Sequence, residues 1–332
     1  MKYRELGRRT GLRVSEVGLG AWGLGGRQFV LPAAGGGLTP ATYGDVSEDE
    51  ARALLQAVLD CGINFIDTAP YYGAGRSEAR IGRAIKGRDD IIVATKVGVF
   101  IDDAGRSGRR FTRDVVMTQL DESRRRLGRD VIDIELLHSP THEEYGTGES
   151  LEALHTLKAQ GKVRFVGVSV NLGEKSPNRE FIERGEVDVI ELPISLLRPQ
   201  GAELLPLARA HGVGIIVREA LANGMLTGQF TPDTVFGKDD FRSKWPRQRI
   251  ITEYEQFKRL SFLCEDGVRT PSQVALQWVL SLEGVSTVIG GAMSRSELLE
   301  NAAVPDLPPL SEEMLARVRA VQGLVTSVPR VY

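Results

Sequence analysis

The sequence contains few residues of the kinds that build disulfide or metal frameworks, with two cysteines and four histidines among 332 residues. Cys61 and Cys264 are far apart and belong to helical patterns, so we expect them to pack as small apolar side chains. His138 and His142 are separated by Ser139-Pro140-Thr141, which cannot continue a helix that would turn both histidines towards one metal ion. We therefore expect neither a disulfide nor a metal site, which agrees with a reducing, cytoplasmic location.

The sequence also lacks long apolar runs and a strong excess of charge. No apolar stretch approaches the roughly 18 residues that a membrane-spanning helix needs, and the first residues, Met1 to Gly7, lack the apolar core of a secretory signal. A net charge of −2, with 42% hydrophobic and 26% charged residues, is typical of a soluble globular protein. We expect a small-molecule partner rather than nucleic acid or a membrane, and a homo-oligomer stays open.

Ionisable residues close three apolar, strand-like runs that follow one another along the chain. Asp67 ends the run 64–67, Lys96 ends the run 91–96, and His138 ends the run 131–138. The spacings, 96 − 67 = 29 and 138 − 96 = 42 residues, are close to the roughly 30 residues of one strand-plus-helix unit in a (β/α)8 barrel. Since the carboxyl ends of such strands meet at one mouth, we expect these side chains to converge there with Tyr72.

The alternation of strand-like and helical patterns continues through eight strands. It predicts an α/β fold, a (β/α)8 TIM barrel with an N-terminal hairpin and a C-terminal helix, as a single domain over residues 1–332. Two segments interrupt the pattern. The Gly-rich insertion at about 23–44 is either a flexible flap or disordered, and the polar stretch 221–250 is predicted to be a long loop over the mouth. The remaining strand-like runs are 17–20, 163–169, 187–192, 214–218 and 286–289.

The four ionisable residues at the predicted mouth suit the protonation of a carbonyl oxygen. The ordinary pKa of a tyrosine, near 10, is too high for efficient acid catalysis, and an ammonium such as that of Lys96 lowers it. Asp67 would keep that ammonium charged, and a neutral His138 would donate an N–H to the substrate oxygen. The alternative is an Asp67–Lys96 salt bridge at the barrel bottom with Tyr72 as a packing residue. Tyr71 is predicted to line the pocket or to pack.

The segment 64–78 resembles the signature of the aldo-keto reductase family. It carries Asp67-Thr68-Ala69, then Tyr72-Gly73, then Ser77-Glu78. Similar landmarks follow in the family's order at 94–98, 136–140, 161–164, 167–169, 224–228 and 300–301. The resemblance implies NADPH-dependent reduction of an aldehyde or ketone, with NADH less favoured as cofactor. The same resemblance implies that the catalytic residues are Asp67, Tyr72, Lys96 and His138.

The resemblance also implies a site for the nicotinamide end of the cofactor. Ser169 and Glu191, the latter at a position where the family has glutamine, would hold the carboxamide, and Asn171 is displaced by one from the family's asparagine. Arg218 would stack on the ring. The alternative for Arg218 is a rim salt bridge to Glu191 or Glu219.

The phosphate and adenine ends are implied by two later segments. The loop after the seventh strand would cover the pyrophosphate, and the helix after the eighth strand would hold a 2′-phosphate at its N-terminus. Glu297 departs from the family there, because glutamine or arginine is usual at this position. Together with those above, the expected cofactor-binding residues are Gly20, Ala21, Trp22, Asp67, Ser169, Glu191, Arg218, Leu221, Gly224, Leu226, Gly228, Gly291, Ser294, Arg295, Glu297, Glu300 and Asn301.

Three further readings concern the substrate and the role of the chain. Short loops suggest a small aldehyde, ketone or keto-sugar, and deoxysugar intermediates of secondary metabolism are the second substrate class. A different class of function is a cofactor-binding regulatory subunit with slow turnover, as in the channel-associated branch of the same family. A phosphate-binding barrel isomerase would not need the Tyr-Lys-Asp-His set and is disfavoured.

Overall fold

Eight parallel strands close into a barrel in the computed structural model of this chain, which describes residues 1–32, 35–173, 177–265 and 267–325. Each strand pairs with its neighbours in chain order, and the last pairs with the first, so the predicted (β/α)8 topology is confirmed. The barrel strands are β1 Val17–Gly20, β2 Phe65–Asp67, β3 Ile92–Val97, β4 Ile132–His138, β5 Val163–Ser169, β6 Val189–Pro193, β7 Gly214–Arg218 and β8 Thr287–Gly291.

Helices lie between the strands and cover the outside of the barrel. A capping box at Ser47 and Glu50 begins the first helix, because Ser47 accepts from the Glu50 N–H and Glu50 accepts from the Ser47 N–H. Thr112 precedes the third helix as predicted, although its side chain makes no capping bond. The helices are α1 Glu48–Asp60, α2 Arg76–Ala84, α3 Arg113–Leu127, α4 Glu149–Ala159, α5 Asn178–Glu183, α6 Leu205–His211, α7 Arg247–Lys258, α8 Pro271–Ser281, α9 Arg295–Ala302 and α10 Glu312–Val325.

The predicted N-terminal hairpin closes the bottom of the barrel. Strands Tyr3–Glu5 and Arg13–Ser15 pair antiparallel, which confirms the hairpin. Its apolar residues Leu6, Leu12 and Val14 belong to the same buried cluster as Phe65 and other barrel residues. The lower half of the barrel is therefore filled with apolar side chains, and polar chemistry is confined to the opposite, carboxyl-terminal end.

The insertion and the long loop both run at that carboxyl-terminal end. The described part of the insertion contains a two-strand ribbon, Phe29–Val30 with Thr39–Pro40. The stretch 221–250 contains short 3₁₀ helices, Ala222–Gly224 and Phe241–Lys244, and its last residues already belong to α7. The Phe241 N–H donates to the Thr42 carbonyl, 2.9 Å away, so the two segments contact each other across the mouth.

The C-terminal helix α10 packs against the side of the barrel. Val318 is fully buried, and Met314, Leu315 and Val321 are partly buried against the main core, which confirms the predicted apolar face. Thr326, the predicted end of this helix, lies outside the described residues. Within the described ranges, no helix combines the length and the apolar character that crossing a membrane requires.

Candidate active site

The two-residue period of the strands explains why the predicted site residues converge. Side chains that alternate along a strand face the same side, and the buried interior cluster includes Phe65, Ile92 and Ala94, Ile134 and Leu136, Val189, and Ile216. Two residues beyond the last interior residue of each of these strands lies an ionisable side chain, which therefore also faces inward at the mouth. This layer holds Asp67, Lys96, His138, Glu191 and Arg218, and Ser169 occupies the equivalent position on β5.

Lys96 lies at the centre of this layer and is fully buried. Its ammonium donates to both carboxylate oxygens of Asp67, each 2.6 Å away, and to the Thr68 carbonyl at 3.1 Å. The pair lies at the carboxyl-terminal end of the strands, and Asp67 lines an open cleft. The alternative of a salt bridge at the barrel bottom is therefore wrong.

Tyr72 follows β2 in a tight turn and places its hydroxyl 3.5 Å from the Lys96 ammonium. The Gln28 side chain fixes this turn from the insertion: its amide N–H donates to the Tyr71 carbonyl at 3.0 Å, and its oxygen accepts from the Gly73 N–H at 2.6 Å. Gly73 has φ of 66°, and a Cβ there would lie 2.3 Å from the Gly25 carbonyl oxygen, so only glycine fits.

Burial dominates the electrostatics of Tyr72 and His138. It raises the pKa of Tyr72, and Lys96 lowers it by less. Lys96 therefore acts in the expected direction, but desolvation of the phenolate outweighs the ammonium and keeps the pKa of Tyr72 above its ordinary value. Burial, with Lys96 next in size, holds the pKa of His138 well below its usual range, so the imidazole is neutral at pH 7. Its Nδ1 has no hydrogen-bond partner within the described part of the chain.

Glu191 and Arg218 form ion pairs that extend the Lys96 cluster. Glu191 Oε2 lies 3.3 Å from the Lys96 ammonium, and its Oε1 lies 3.4 Å from Arg218 Nε. Ser169 donates to Oε1 at 2.8 Å. Burial opposes the ionisation of Glu191, but the Lys96 ammonium and other partners outweigh it and lower its pKa to about 2. Burial and the Glu191 carboxylate together raise the pKa of Asp67.

A cleft of about 610 Å³ opens above this layer, within the size range of small-molecule sites. Trp22, Tyr71 and Tyr72 lie on its wall, so the open question about Tyr71 is answered by a position at the pocket. Of the residues expected from the sequence, the cleft is lined by Gly20, Trp22, Asp67, Tyr72, His138, Ser169, Glu191, Arg218, Leu221, Gly224, Gly291, Glu297, Glu300 and Asn301.

Five of the expected cofactor-binding residues do not line the cleft. Ala21 is fully buried and donates its N–H to the Asp67 carbonyl at 2.9 Å, and Leu226 is buried in the core. Gly228 lies against Pro271, where a Cβ would be 3.0 Å away. Ser294 caps α9, and Arg295 is exposed. These residues support the site's backbone or its surroundings in this structure.

Several backbone N–H groups of the loop after β7 bond within the loop itself. Gly224 and Leu226 donate to the Leu221 carbonyl, and Thr227 donates to the Gly224 carbonyl. Gly224 has φ of 94°, and a Cβ there would lie 2.8 Å from Arg242 Nη1. The positive φ favours glycine at this position, and the loop's own turn uses these backbone donors.

The N-terminus of α9 is satisfied by protein groups. Ser294 accepts from the Glu297 N–H at 3.2 Å, and the Glu297 carboxylate accepts from the Met293 N–H at 2.7 Å. Asn301 lies further along the helix and donates to the Gly291 carbonyl at 3.3 Å. Glu300 accepts from the Thr270 hydroxyl. A carboxylate therefore lies in the first turn of the helix whose N-terminus is the expected phosphate site.

Sequence reasoning missed several residues that line or support the cleft. Tyr43 and Phe241 contact the Trp22 ring, with ring centres 5.0 and 4.9 Å away. Arg242 lies 4.9 Å from the Tyr43 ring centre and donates to the Asn223 carbonyl at 2.8 Å. These residues belong to the insertion and the long loop. Aromatic residues within both segments are the only sequence signal that pointed to a wall.

A (β/α)8 barrel whose mouth joins a tyrosine, a buried lysine, a carboxylate and a neutral imidazole defines a class of carbonyl–alcohol oxidoreductases. Residues 16–322 match the model of the aldo/keto reductase family. The chain belongs to that family and is an oxidoreductase that uses a nicotinamide cofactor, NAD(P)H.

Individual relatives span almost the whole chain. The chain is 31% identical to an NADH-specific methylglyoxal reductase of Escherichia coli, over 91% of this chain and 93% of the relative. It is 28% identical to a probable voltage-gated potassium channel subunit beta of Oryza sativa, over 97% and 96%. Among solved structures, a glycerol dehydrogenase of Gluconobacter oxydans has a TM-score of 0.80 at 28% identity, covering 99% of this chain and 97% of that one.

Proposed function

We propose that this enzyme reduces a small aldehyde or ketone to the alcohol, with Tyr72 as the proton donor. The observation that supports this proposal most is the Tyr72 hydroxyl at the cleft, 3.5 Å from the ammonium of Lys96. A phenol at such a position can protonate a carbonyl oxygen while hydride reaches the carbon.

The residues at the mouth fit a nicotinamide. Each nitrogen of Arg218 already faces a protein oxygen, on Glu191, Glu219, Val170 or Asn171. Because these donors lie in the plane of the guanidinium, the face of the group is what remains for a ligand, and guanidinium faces stack on flat rings. A bound nicotinamide would supply the hydride. Residues of the cleft would hold it, with Arg218 against the ring.

We propose NADH as the preferred cofactor, although the sequence favours NADPH. The carboxylate of Glu297 lies in the first turn of α9, whose N-terminus is the expected phosphate site, and accepts from the Met293 N–H. A 2′-phosphate beside this carboxylate would be repelled, whereas a ribose 2′-hydroxyl could donate to it. Arg295 is exposed next to it and is the feature that favours NADPH. The Escherichia coli relative, which is NADH-specific by name, supports the same preference.

The roles of the four residues follow from their surroundings. Lys96 stays charged because Asp67 and Glu191 outweigh the effect of its burial and raise its pKa. Its ammonium stabilises the negative charge that develops on Tyr72 Oη as the proton leaves. His138 is neutral and can donate one N–H to the substrate oxygen, which orients the carbonyl.

The wall of the cleft suits a small, partly polar substrate. Trp22 and Tyr43 contribute apolar surface to the cleft, and Arg109 also lines it, donating to the Ser139 carbonyl at 2.7 Å. Small aldehydes, ketones and keto-sugars match this combination of one aromatic wall and one polar donor, and deoxysugar intermediates are the second substrate class.

Replacing Tyr72 by phenylalanine tests the proton donor. We expect kcat to fall at least 10²-fold, the usual contribution of general acid catalysis, while the Kd for NADH changes little. The measurement is steady-state reduction over a panel of aldehydes, ketones and keto-sugars, with cofactor binding followed by fluorescence. Tyr71→Phe is the matched control, because Tyr71 lies at the cleft but is not beside Lys96. Unchanged turnover in Tyr72→Phe would remove Tyr72 from this role.

Replacing Glu297 by glutamine tests the cofactor preference. Glutamine keeps an oxygen for the Met293 N–H and removes the charge. We expect NADPH affinity to rise about tenfold, equivalent to about 1.4 kcal/mol, with little change for NADH. Arg295→Ala is the comparison variant, and a large loss of NADPH affinity there without an effect of Glu297→Gln would favour NADPH as the native cofactor.

A second candidate function is a cofactor-binding regulatory subunit with slow turnover. The similarity to the rice channel subunit favours it. Single-turnover absorbance of the bound reduced cofactor separates the two, because enzymes typically turn over at roughly 1–10³ s⁻¹. Tight cofactor binding without oxidation by any member of the carbonyl panel would support the regulatory subunit.

A further inference from the structure

Glu191 connects opposite sides of the barrel mouth. It lies within β6 and is 1% exposed, and its side chain reaches Lys96 on β3, three strands away in the closed barrel. One carboxylate oxygen faces the Lys96 ammonium at 3.3 Å, and the other faces Arg218 Nε at 3.4 Å. The same carboxylate therefore pairs with the buried ammonium beside Tyr72 and with the guanidinium at the mouth.

Charges alternate along this connection. Asp67, Lys96, Glu191 and Arg218 follow one another as negative, positive, negative and positive groups. A buried cation that loses its carboxylate partner is strongly unfavourable. An amide at position 191 could not neutralise either cation, so the arrangement of Arg218 in this chain depends on the carboxylate.

Arg218 is held along its whole edge. Its Nη1 donates to Glu219, and its Nη2 donates to the Val170 carbonyl at 2.9 Å and to Asn171 Oδ1 at 2.8 Å. With Nε on Glu191, the guanidinium has partners from β6, from the end of β7 and from the segment after β5. Such a group cannot rotate without losing several charge-assisted bonds.

We propose that Glu191 is a positioning residue that holds Arg218 as a fixed flat surface for the nicotinamide end of the cofactor and ties it to Lys96. This inference rests on the proposed function. Oε1 of Glu191 accepts from Ser169 and both oxygens face cations, whereas Oε2 has no hydrogen-bond partner within the described residues. The nicotinamide end is then recognised through the face of Arg218, and Asn171 serves by holding Arg218.

A positioning role of Glu191 predicts different effects on the binding of the two ends of the cofactor. Loss of Glu191 should weaken binding of the nicotinamide end and leave the adenosine diphosphate end unaffected, because no contact of Glu191 reaches the α9 region. NADH and ADP-ribose are the two probes, since ADP-ribose lacks the nicotinamide ring. Binding of both to the full-length protein can be measured by calorimetry or fluorescence without any turnover.

The experiment compares wild type, Glu191→Gln, Arg218→Leu and the double variant. We expect Glu191→Gln to raise the Kd for NADH about tenfold and the Kd for ADP-ribose less than twofold. If Glu191 acts through Arg218, the double variant should bind NADH no more weakly than Arg218→Leu alone. Equal losses for both probes, or losses that add in the double variant, would overturn the proposal.

Failure of the proposed function gives a different result. Wild-type protein that binds ADP-ribose and NADH equally would indicate that the nicotinamide end makes no contact at all. If Glu191→Gln does not fold, Asn171→Ala and Glu219→Gln test the same idea, since each removes a partner of Arg218 near the rim. Both variants should bind NADH more weakly and ADP-ribose as tightly as wild type does. An unchanged ratio of the Kd for NADH to the Kd for ADP-ribose would contradict the positioning role of Glu191.

Discussion

Replacing Lys96 by methionine should destabilise the protein in a strongly pH-dependent way. Methionine fills a similar volume but leaves Asp67 and Glu191 in a fully buried layer without the ammonium that lies 2.6 and 3.3 Å from them. Breaking a buried ion pair by removing one partner costs about 3–5 kcal/mol. We expect a loss of this size near neutral pH, measured by urea denaturation.

The pH dependence follows from the two carboxyl groups. Without the ammonium, the folded-state pKa of at least one of these carboxyl groups rises above its unfolded-state value. The contribution of that carboxyl group to stability is then fully present below about pH 4 and is lost as pH rises through its folded-state pKa. The slope for one proton is about 1.4 kcal/mol per pH unit. In wild type, the pKa of Lys96 is raised and that of Glu191 is lowered to about 2, so the contributions of these two groups are constant between pH 5 and pH 8. The raised pKa of Asp67 affects both proteins, and the variant adds the rise at Glu191. The difference in unfolding free energy between Lys96→Met and wild type should therefore increase from pH 5 to pH 8.

A matched double variant, Lys96→Met with Glu191→Gln, checks the cause. It removes one of the two buried carboxylates, so it should recover part of the stability at pH 8 and none of the reductase activity. The same loss of stability at pH 5 and pH 8 would show that packing, rather than the carboxylates, dominates at this position.

Two further variants test other parts of the structure. Gln28→Ala should lower kcat about tenfold with an unchanged Kd for NADH, because Gln28 bonds the backbone on both sides of Tyr72. The control Gln28→Glu keeps the acceptor for the Gly73 N–H, so its kcat should fall less. Equal kcat in wild type and both variants would contradict the role of Gln28 in positioning Tyr72. Glu135→Gln should stabilise the protein above about pH 5, because burial and Glu78 raise the pKa of Glu135 and its two oxygens have no hydrogen-bond partner in the described structure. A raised folded-state pKa costs stability as pH rises, so the gain in unfolding free energy, measured by urea denaturation, should vanish at about pH 4. A gain that does not depend on pH would refute this cause.

The residues at the strand ends were predictable because their positions depend on local rules. A strand alternates its side chains, so Asp67, Lys96 and His138 could be assigned to one layer once the strands and their parallel pairing were assigned. The N-terminal hairpin and the apolar face of α10 were predictable for the same reason.

The supports of Tyr72 and the cleft wall depend on contacts between distant segments. Gln28 reaches Gly73 across an irregular insertion, and the Phe241 N–H meets the Thr42 carbonyl. No periodicity connects these residues, so the sequence predicted only that the long loop lies over the mouth and left open whether the insertion is a flap or disordered. The net direction of the Tyr72 pKa shift also depends on how deeply the phenol is buried, which the sequence does not show.

Both glutamates that depart from the family pattern are used by the protein itself, and this changes what they can do for a ligand. Glu191 has its oxygens directed at Lys96, Arg218 and Ser169, and Glu297 accepts from the Met293 N–H. A carboxylate that faces protein cations or donors acts on a ligand through its charge and through the groups it holds in place. At Glu297 the charge opposes a phosphate. At Glu191 the charge holds Lys96 and Arg218 in place. Replacing glutamate by glutamine should therefore change the choice of cofactor at position 297 and the binding of the nicotinamide ring at position 191.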